Sequence, residues 1–253
     1  MKILICDTYV RERGHYKSYI DCILRYYSKS IHEVYFLFND FSGNLIPNLR
    51  SMKNVILLEE DLLQSMRKNS LFGKLRIAEF KLIAKNAEEL NIDQLVMLDI
   101  DQFQVAISIC KTKFKICGIY FRPYHRIKVI SNDPLQLIKN SIRYLKKFSL
   151  EKILLINKNV SHLFLLNDEL GVNKKGDRFR YLPDPIVNYE INKLLNIYKK
   201  FDLNQDVYTL LVFGGINYRK NVENLILSLS ISDVLTNVVL LLIGPIETKY
   251  REN

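Results

Sequence analysis

The chain alternates short, continuous apolar runs with longer stretches in which apolar residues recur every three or four positions. The continuous runs fall at residues 2–6, 33–38, 55–58, 94–98, 114–120 and 152–156, and each reads as a buried strand. Between the first two, Tyr16, Tyr19, Ile20, Ile23, Leu24 and Tyr27 line one face of a helix. Further helical periodicity covers residues 74–90 and 134–148. Strand and helix in turn predict an α/β fold wound on both faces of a parallel sheet.

The pattern restarts near Asp206. Residues 207–213 form another buried-strand run, which ends at Gly214-Gly215. Val222, Leu225, Ile226 and Leu229 then share a helical face, and the strand 238–243 closes at Gly244-Pro245. Together these make the first βαβ unit of a second Rossmann-like domain. In the preceding segment Leu182-Pro183-Asp184-Pro185-Ile186, two prolines favour an extended linker. The expected layout is an amino-terminal Rossmann-like domain over 1–185, a linker over 186–205 and an incomplete second domain over 206–253.

With 253 residues, 48% of them hydrophobic, the chain can build a sizeable core. Ile3-Leu4-Ile5-Cys6 is too short for the apolar centre of a signal peptide, and no run approaches the ~20 residues that cross a bilayer. A cytoplasmic protein is expected. Cys6, Cys22, Cys110 and Cys117 lie inside apolar segments without the close spacing of a zinc site or redox pair, and read as buried thiols. The net charge of +10 favours anionic partners: nucleotide phosphates, an acidic membrane face or nucleic acid.

Three stretches, in order, resemble retaining GT-B glycosyltransferases of the large family 4 class. They are Leu182-Pro-Asp-Pro-Ile186, the run from Leu211 through Gly214, Gly215, Arg219 and Lys220 to Leu225, and Leu241-Leu-Ile-Gly-Pro245. A looser match is Gly14-His15-Tyr16 after the first strand, where the family's usual glycine pair is reduced to Arg13-Gly14. The resemblance implies a GT-B-like fold, with an acceptor-side first domain and a donor-binding second one. It also implies metal-independent transfer from a nucleotide-sugar donor to a glycan or lipid-linked acceptor, in polysaccharide or glycoconjugate assembly, with no other cofactor.

The chemistry of the second stretch stands beside the resemblance. Breaking a sugar–diphosphate bond leaves negative charge on the departing diphosphate, so cations must already be aimed there. Gly214 and Gly215 allow a tight turn after a strand, and Arg219 and Lys220 stand where the next helix begins. These four could equally be an ordinary turn and a solvated helix start. By resemblance, Arg219, Lys220, Gly14 and Gly215 would contact the donor diphosphate. His125 would act in the reacting-sugar region, and His15 and Arg122 would lie in the acceptor or sugar region. His125 and Arg122 follow a buried strand, whose carboxyl end faces the ligand in such sheets.

Other features compete with this assignment. Asp99-Ile-Asp101 follows a strand and could hold a divalent metal, as in GT-A glycosyltransferases, or could be solvated loop carboxylates. Lys139, Arg143, Lys146 and Lys147 form a basic helical face opposite Leu135, Ile138, Ile142 and Leu145. That face is either solvated or drawn to anionic lipid, which would make the protein peripheral at the inner membrane surface. A non-catalytic basic protein remains a third reading, but the aromatic residues sit within apolar periods rather than among cations, so nucleic acid is not the expected partner. The family's paired glutamates seven residues apart are not supplied by Glu247 and Glu252. A fragment, an early stop, or a half that needs a partner chain or oligomer is therefore expected, with doubtful turnover alone.

Overall fold

The computed structural model describes all residues except 11–15, 28, 47, 69–73, 128, 131–132, 174–175, 184–198, 200, 203–205, 217–219, 232–236 and 247–253. The chain divides into two compact units, Met1–Asn188 and Tyr189–Asn253.

The first unit is a seven-stranded, all-parallel sheet. Its strands are β1 (Lys2–Asp7), β2 (Glu33–Asn39), β3 (Val55–Leu58), β4 (Gln94–Met97), β5 (Lys115–Ile119), β6 (Val160–Leu166) and β7 (Phe179–Leu182). They lie in the order β3-β2-β1-β4-β5-β6-β7. The order reverses between β1 and β4, and such a switch point opens a crevice at the carboxyl ends of the strands. The helices are α1 (Tyr16–Tyr27), α2 (Ser42–Leu45), α3 (Glu60–Lys68), α4 (Ile77–Glu89), α5 (Gln104–Ile109), α6 (Pro134–Ile156) and α7 (Glu169–Asn173).

Two cores sandwich the sheet. Phe80 and Ile83 of α4, Ile107 of α5 and Leu154 of α6 pack with Leu95, Met97, Ile116, Tyr120 and Leu163 on one face. Ile20 of α1, with Tyr19 and Ile23 beside it, packs with Ile5, Phe36 and Phe38 on the other. At Gly118 a Cβ would come within 2.5 Å of the Met97 carbonyl oxygen, so β5 closes on β4 only with glycine there.

The second unit contains β8 (Tyr208–Phe213), α8 (Val222–Ile231) and β9 (Val238–Ile243). Its strands pair in parallel from Tyr208↔Val238 to Phe213↔Ile243. This is the predicted βαβ unit.

The structure corrects the sequence reading in three places. Residues 152–156, expected as a strand, are the last turns of α6, which runs on past Phe148 through Glu151 and Leu154. The strand that follows is β6, and β7 follows it; neither was predicted. The apolar stripe of α6 opposite its basic face is exposed, with Leu135 at 69% and Ile142 at 62%. Of the four cysteines, Cys6 and Cys117 are buried, whereas Cys22 and Cys110 are only partly so.

Candidate functional site

Four strands of the first sheet end in chemically active residues. Asp7 closes β1 and is 5% exposed. Its Oδ1 accepts from the Tyr9 N–H at 2.9 Å. Burial, with Asp99 and Glu79 nearby, pushes its carboxyl up to about 8, against the pull of Arg67.

Glu79 on α4 anchors the polar network beside it. Its Oε1 accepts from Arg67 Nη2 at 2.6 Å and Thr8 Oγ1 at 2.5 Å. Its Oε2 accepts from Arg67 Nε at 3.0 Å and Arg76 Nη1 at 2.6 Å. Burial alone would raise the Glu79 carboxyl; these donors instead hold it below its usual value. Arg67 and Arg76 lie 5.4 and 5.2 Å from the centre of the Tyr9 ring, within cation–π range. Neither Glu79 nor its two arginines was singled out in the sequence, because a glutamate within a helical period reads as exposed.

Asp99 and Asp101 follow β4, and Asp101 is not the solvated carboxylate expected of a loop. Asp101 Oδ1 accepts from Lys147 Nζ on α6 at 3.2 Å. Its Oδ2 accepts from the backbone N–H groups of Phe121 and Arg122 at 2.7 and 3.3 Å. Lys147 therefore leaves the basic face assigned to it and becomes a brace. Asp99 caps the short helix Ile100–Gln102 by accepting from Asp101 N, and it also accepts from Gln102 Nε2. Burial and the charge of Asp101 raise its carboxyl. The two carboxylates thus serve different partners, and among the described residues no group of three or more His, Cys, Asp or Glu is placed to hold a metal ion.

After β5, Pro123 leads into a helical turn, Tyr124–Arg126, that brings His125 to Asp168 beyond β6. His125 Nε2 lies 2.6 Å from Asp168 Oδ2. Arg126 Nε donates to the same oxygen at 3.0 Å, and the Gly171 N–H donates to Oδ1 at 2.8 Å. Burial would raise the Asp168 carboxyl, but hydrogen bonds from His125, Gly171 and Arg126 keep it below its ordinary value. A carboxylate accepts, so it is Nε2 that points its N–H at Asp168. Tyr124 fastens the turn to α6 by edge-on contacts with Tyr144 and Phe148, 5.3 and 5.1 Å between centroids. Arg122 is exposed beside this turn. Asp168 escaped the sequence reading because β6 did.

A cavity of about 310 Å³, lined by Val10, Asn39, Asp40, Phe41, Asn44, Arg50 and Glu60, adjoins the carboxyl end of β2. Asn39 Nδ2 donates there to Glu60 Oε2 at 2.9 Å.

In the second unit β8 turns at Gly214, whose φ of +89° suits glycine. A Cβ on Gly244 would strike the Gly214 carbonyl oxygen at 2.0 Å, so the end of β9 closes on that of β8 only with glycine at 244. Gly215 is exposed at this turn. Lys220 stands two residues before α8, its Nζ 5.6 Å from the centre of the Phe213 ring at the end of β8. Gly14, His15 and Arg219 lie outside the described residues.

The sequence matches no protein-family model and no curated protein. Among solved structures the chain is similar to spinosyn rhamnosyltransferase SpnG. Against the complex with spinosyn aglycone the TM-score is 0.43 at 10% identity, covering 97% of this chain and 66% of that one. Against the complex with thymidine diphosphate it is 0.42 at 10% identity, with the same coverage. A third SpnG structure gives 0.41 at 11% identity, covering 100% and 67%. This chain thus spans about two thirds of their length, and its fold is read from its own strand order rather than from this likeness.

Proposed function

We propose that the protein is a retaining, metal-independent, family 4-like glycosyltransferase with a GT-B plan. It would move a sugar from a nucleotide-sugar donor to a glycan or lipid-linked acceptor. The observation that carries this reading is Lys220, folded back over Phe213 where β8 turns at Gly214. A cation and glycine backbone at the carboxyl end of a parallel strand, just ahead of a helix, suit a diphosphate.

In this reading the sugar C1–oxygen bond to the diphosphate breaks, and the nucleoside diphosphate departs with the electron pair. Lys220, with Arg219, offsets the charge that develops on it. The acceptor oxygen bonds to C1 on the same face and passes its proton to the departing phosphate oxygen. His125 and Arg122 then bind sugar hydroxyls, and the cavity beside β2 gives the first unit room for part of the acceptor.

The Asp168 contact favours a second reading of His125. An imidazole whose Nε2–H is held by a carboxylate offers Nδ1 as a base, which would take the acceptor proton and yield the opposite anomer. Proton NMR of the product's anomeric centre separates the two outcomes.

The binding test comes first. Titration calorimetry with uridine or thymidine diphosphate is expected to show binding that weakens roughly tenfold in Lys220→Ala, the loss of one charge-assisted contact. His125→Ala should leave that affinity unchanged, and a fall in turnover of about 100-fold or more would favour the base of the second reading. Equal affinity in Lys220→Ala and the parent would remove the basis of the assignment.

A further inference from the structure

Helix α6 carries two apolar faces and packs only one of them. Tyr144, Phe148 and Leu154 turn toward the Tyr124 turn and the core. On the other side Leu135, Ile138, Ile142, Leu145, Ile153 and Ile156 form a stripe in which each residue is 41% to 76% exposed. Lys139, Arg143 and Lys146 are exposed along one flank of that stripe. The only acid in the helix, Glu151, is 2% exposed, on the packed side. Over its 23 residues, about 35 Å of axis, the outer half of α6 therefore offers hydrocarbon and positive charge, interrupted by neutral Gln136 and Ser149 and without an acid.

We propose that α6 docks on an anionic lipid surface, lying in its plane. The leucine and isoleucine stripe enters the acyl boundary, and Lys139, Arg143 and Lys146 meet headgroup phosphates. Charge complementarity selects this occupant. A second copy paired through the same stripe would bring two rows of cations into one interface, whereas an anionic bilayer supplies hydrocarbon and opposite charge side by side. The sequence pattern offered the basic face as the lipid contact; the exposure of the apolar stripe changes the mode from surface attraction to shallow insertion. Among the described residues no helix is long and apolar enough to cross a membrane. The packed face of α6 holds the Tyr124 turn and, through Lys147, Asp101, so docking would set the His125 loop at a fixed height above the lipid. That last coupling rests on the transferase reading, but the docking surface does not.

The chain contains no tryptophan, so a single introduced indole reports without background. Emission of Ile142→Trp is expected to shift to the blue with phosphatidylglycerol-containing vesicles and not with pure phosphatidylcholine. In co-sedimentation at physiological salt, K139Q/R143Q/K146Q and, separately, I138S/I142S/L145S should each bind the anionic vesicles at least tenfold more weakly. Unchanged circular dichroism and thermal melting will show that both variants remain folded. Several results would overturn the proposal: either folded variant binding like the parent, an unshifted Ile142→Trp emission, or equal binding to neutral vesicles. So would I138S/I142S/L145S converting a dimer to a monomer with no change in vesicle binding. Diphosphate affinity, measured on the same variants, is expected to stay constant, which keeps this test separate from that of the transferase.

Discussion

Replacing Glu79 with alanine is expected to destabilise the first unit by about 3–5 kcal/mol, the cost of breaking a buried ion pair by removing one partner. The reason is the company it keeps. Arg67 and Arg76 are only 11% and 12% exposed at their side chains, and both direct their charge at this carboxylate. Without it, two cations stay desolvated, with Glu60 at 3.3 Å and the Thr8 carbonyl left to Arg67. Urea or thermal unfolding followed by circular dichroism measures the loss. Adding Arg67→Met should recover part of it, because one orphaned charge goes with the arginine. A Glu79→Ala protein within about 1 kcal/mol of the parent would show that water already reaches the pair. The sign of its pH dependence follows from its lowered carboxyl: the contribution is present above the unfolded value and fades as pH falls.

Asp7 behaves in the opposite sense. Its folded carboxyl titrates at about 8 and its unfolded one at 3.8, so the folded state holds the extra proton across that interval. Stability from this group is complete below the unfolded value and is lost as pH climbs toward 8. Asp7→Asn keeps an oxygen for the Tyr9 N–H and removes the buried charge. It is expected to raise stability at pH 8 by about 2–4 kcal/mol, with little change near pH 4, as linkage requires of a strongly raised carboxyl. Unfolding titrations of both proteins across this range test it; parallel stability curves would mean that Asp7 is not the group that titrates.

How far the sequence could be read follows from which signals are local. Strands β1 to β5 are continuous apolar runs, and buried parallel strands leave that trace. Residues 152–156 leave the same trace for a different reason: five residues of a helix with apolar groups on two faces look like a short buried strand. Only the unbroken path through Ser149 and Glu151 reveals the helix. β6 hid behind Ser161 and His162, and β7 behind its brevity and Arg180. For α6, the stripe of Leu135, Ile138 and Ile142 has the cleaner period, yet the aromatic face carrying Tyr144 and Phe148 is the one that packs. His125 and Lys220, one in each unit, could be singled out in the sequence because each follows a strand. The Glu79 network and Asp168 could not, since each depends on contacts between residues 12 to 71 positions apart.

The strand order also has a consequence for how the molecule is made. β1 leaves the ribosome first but lies inside the sheet, between β2 and β4, and its start is tied to Asp93 across 91 residues. At roughly 5–20 residues per second, several seconds of synthesis separate β1 from its second neighbour. During that delay one edge of Ile3-Leu4-Ile5 stays open to any other extended chain. Slowing translation just upstream of residue 94, or withholding chaperones, should therefore reduce soluble yield more than the same change made beyond β7.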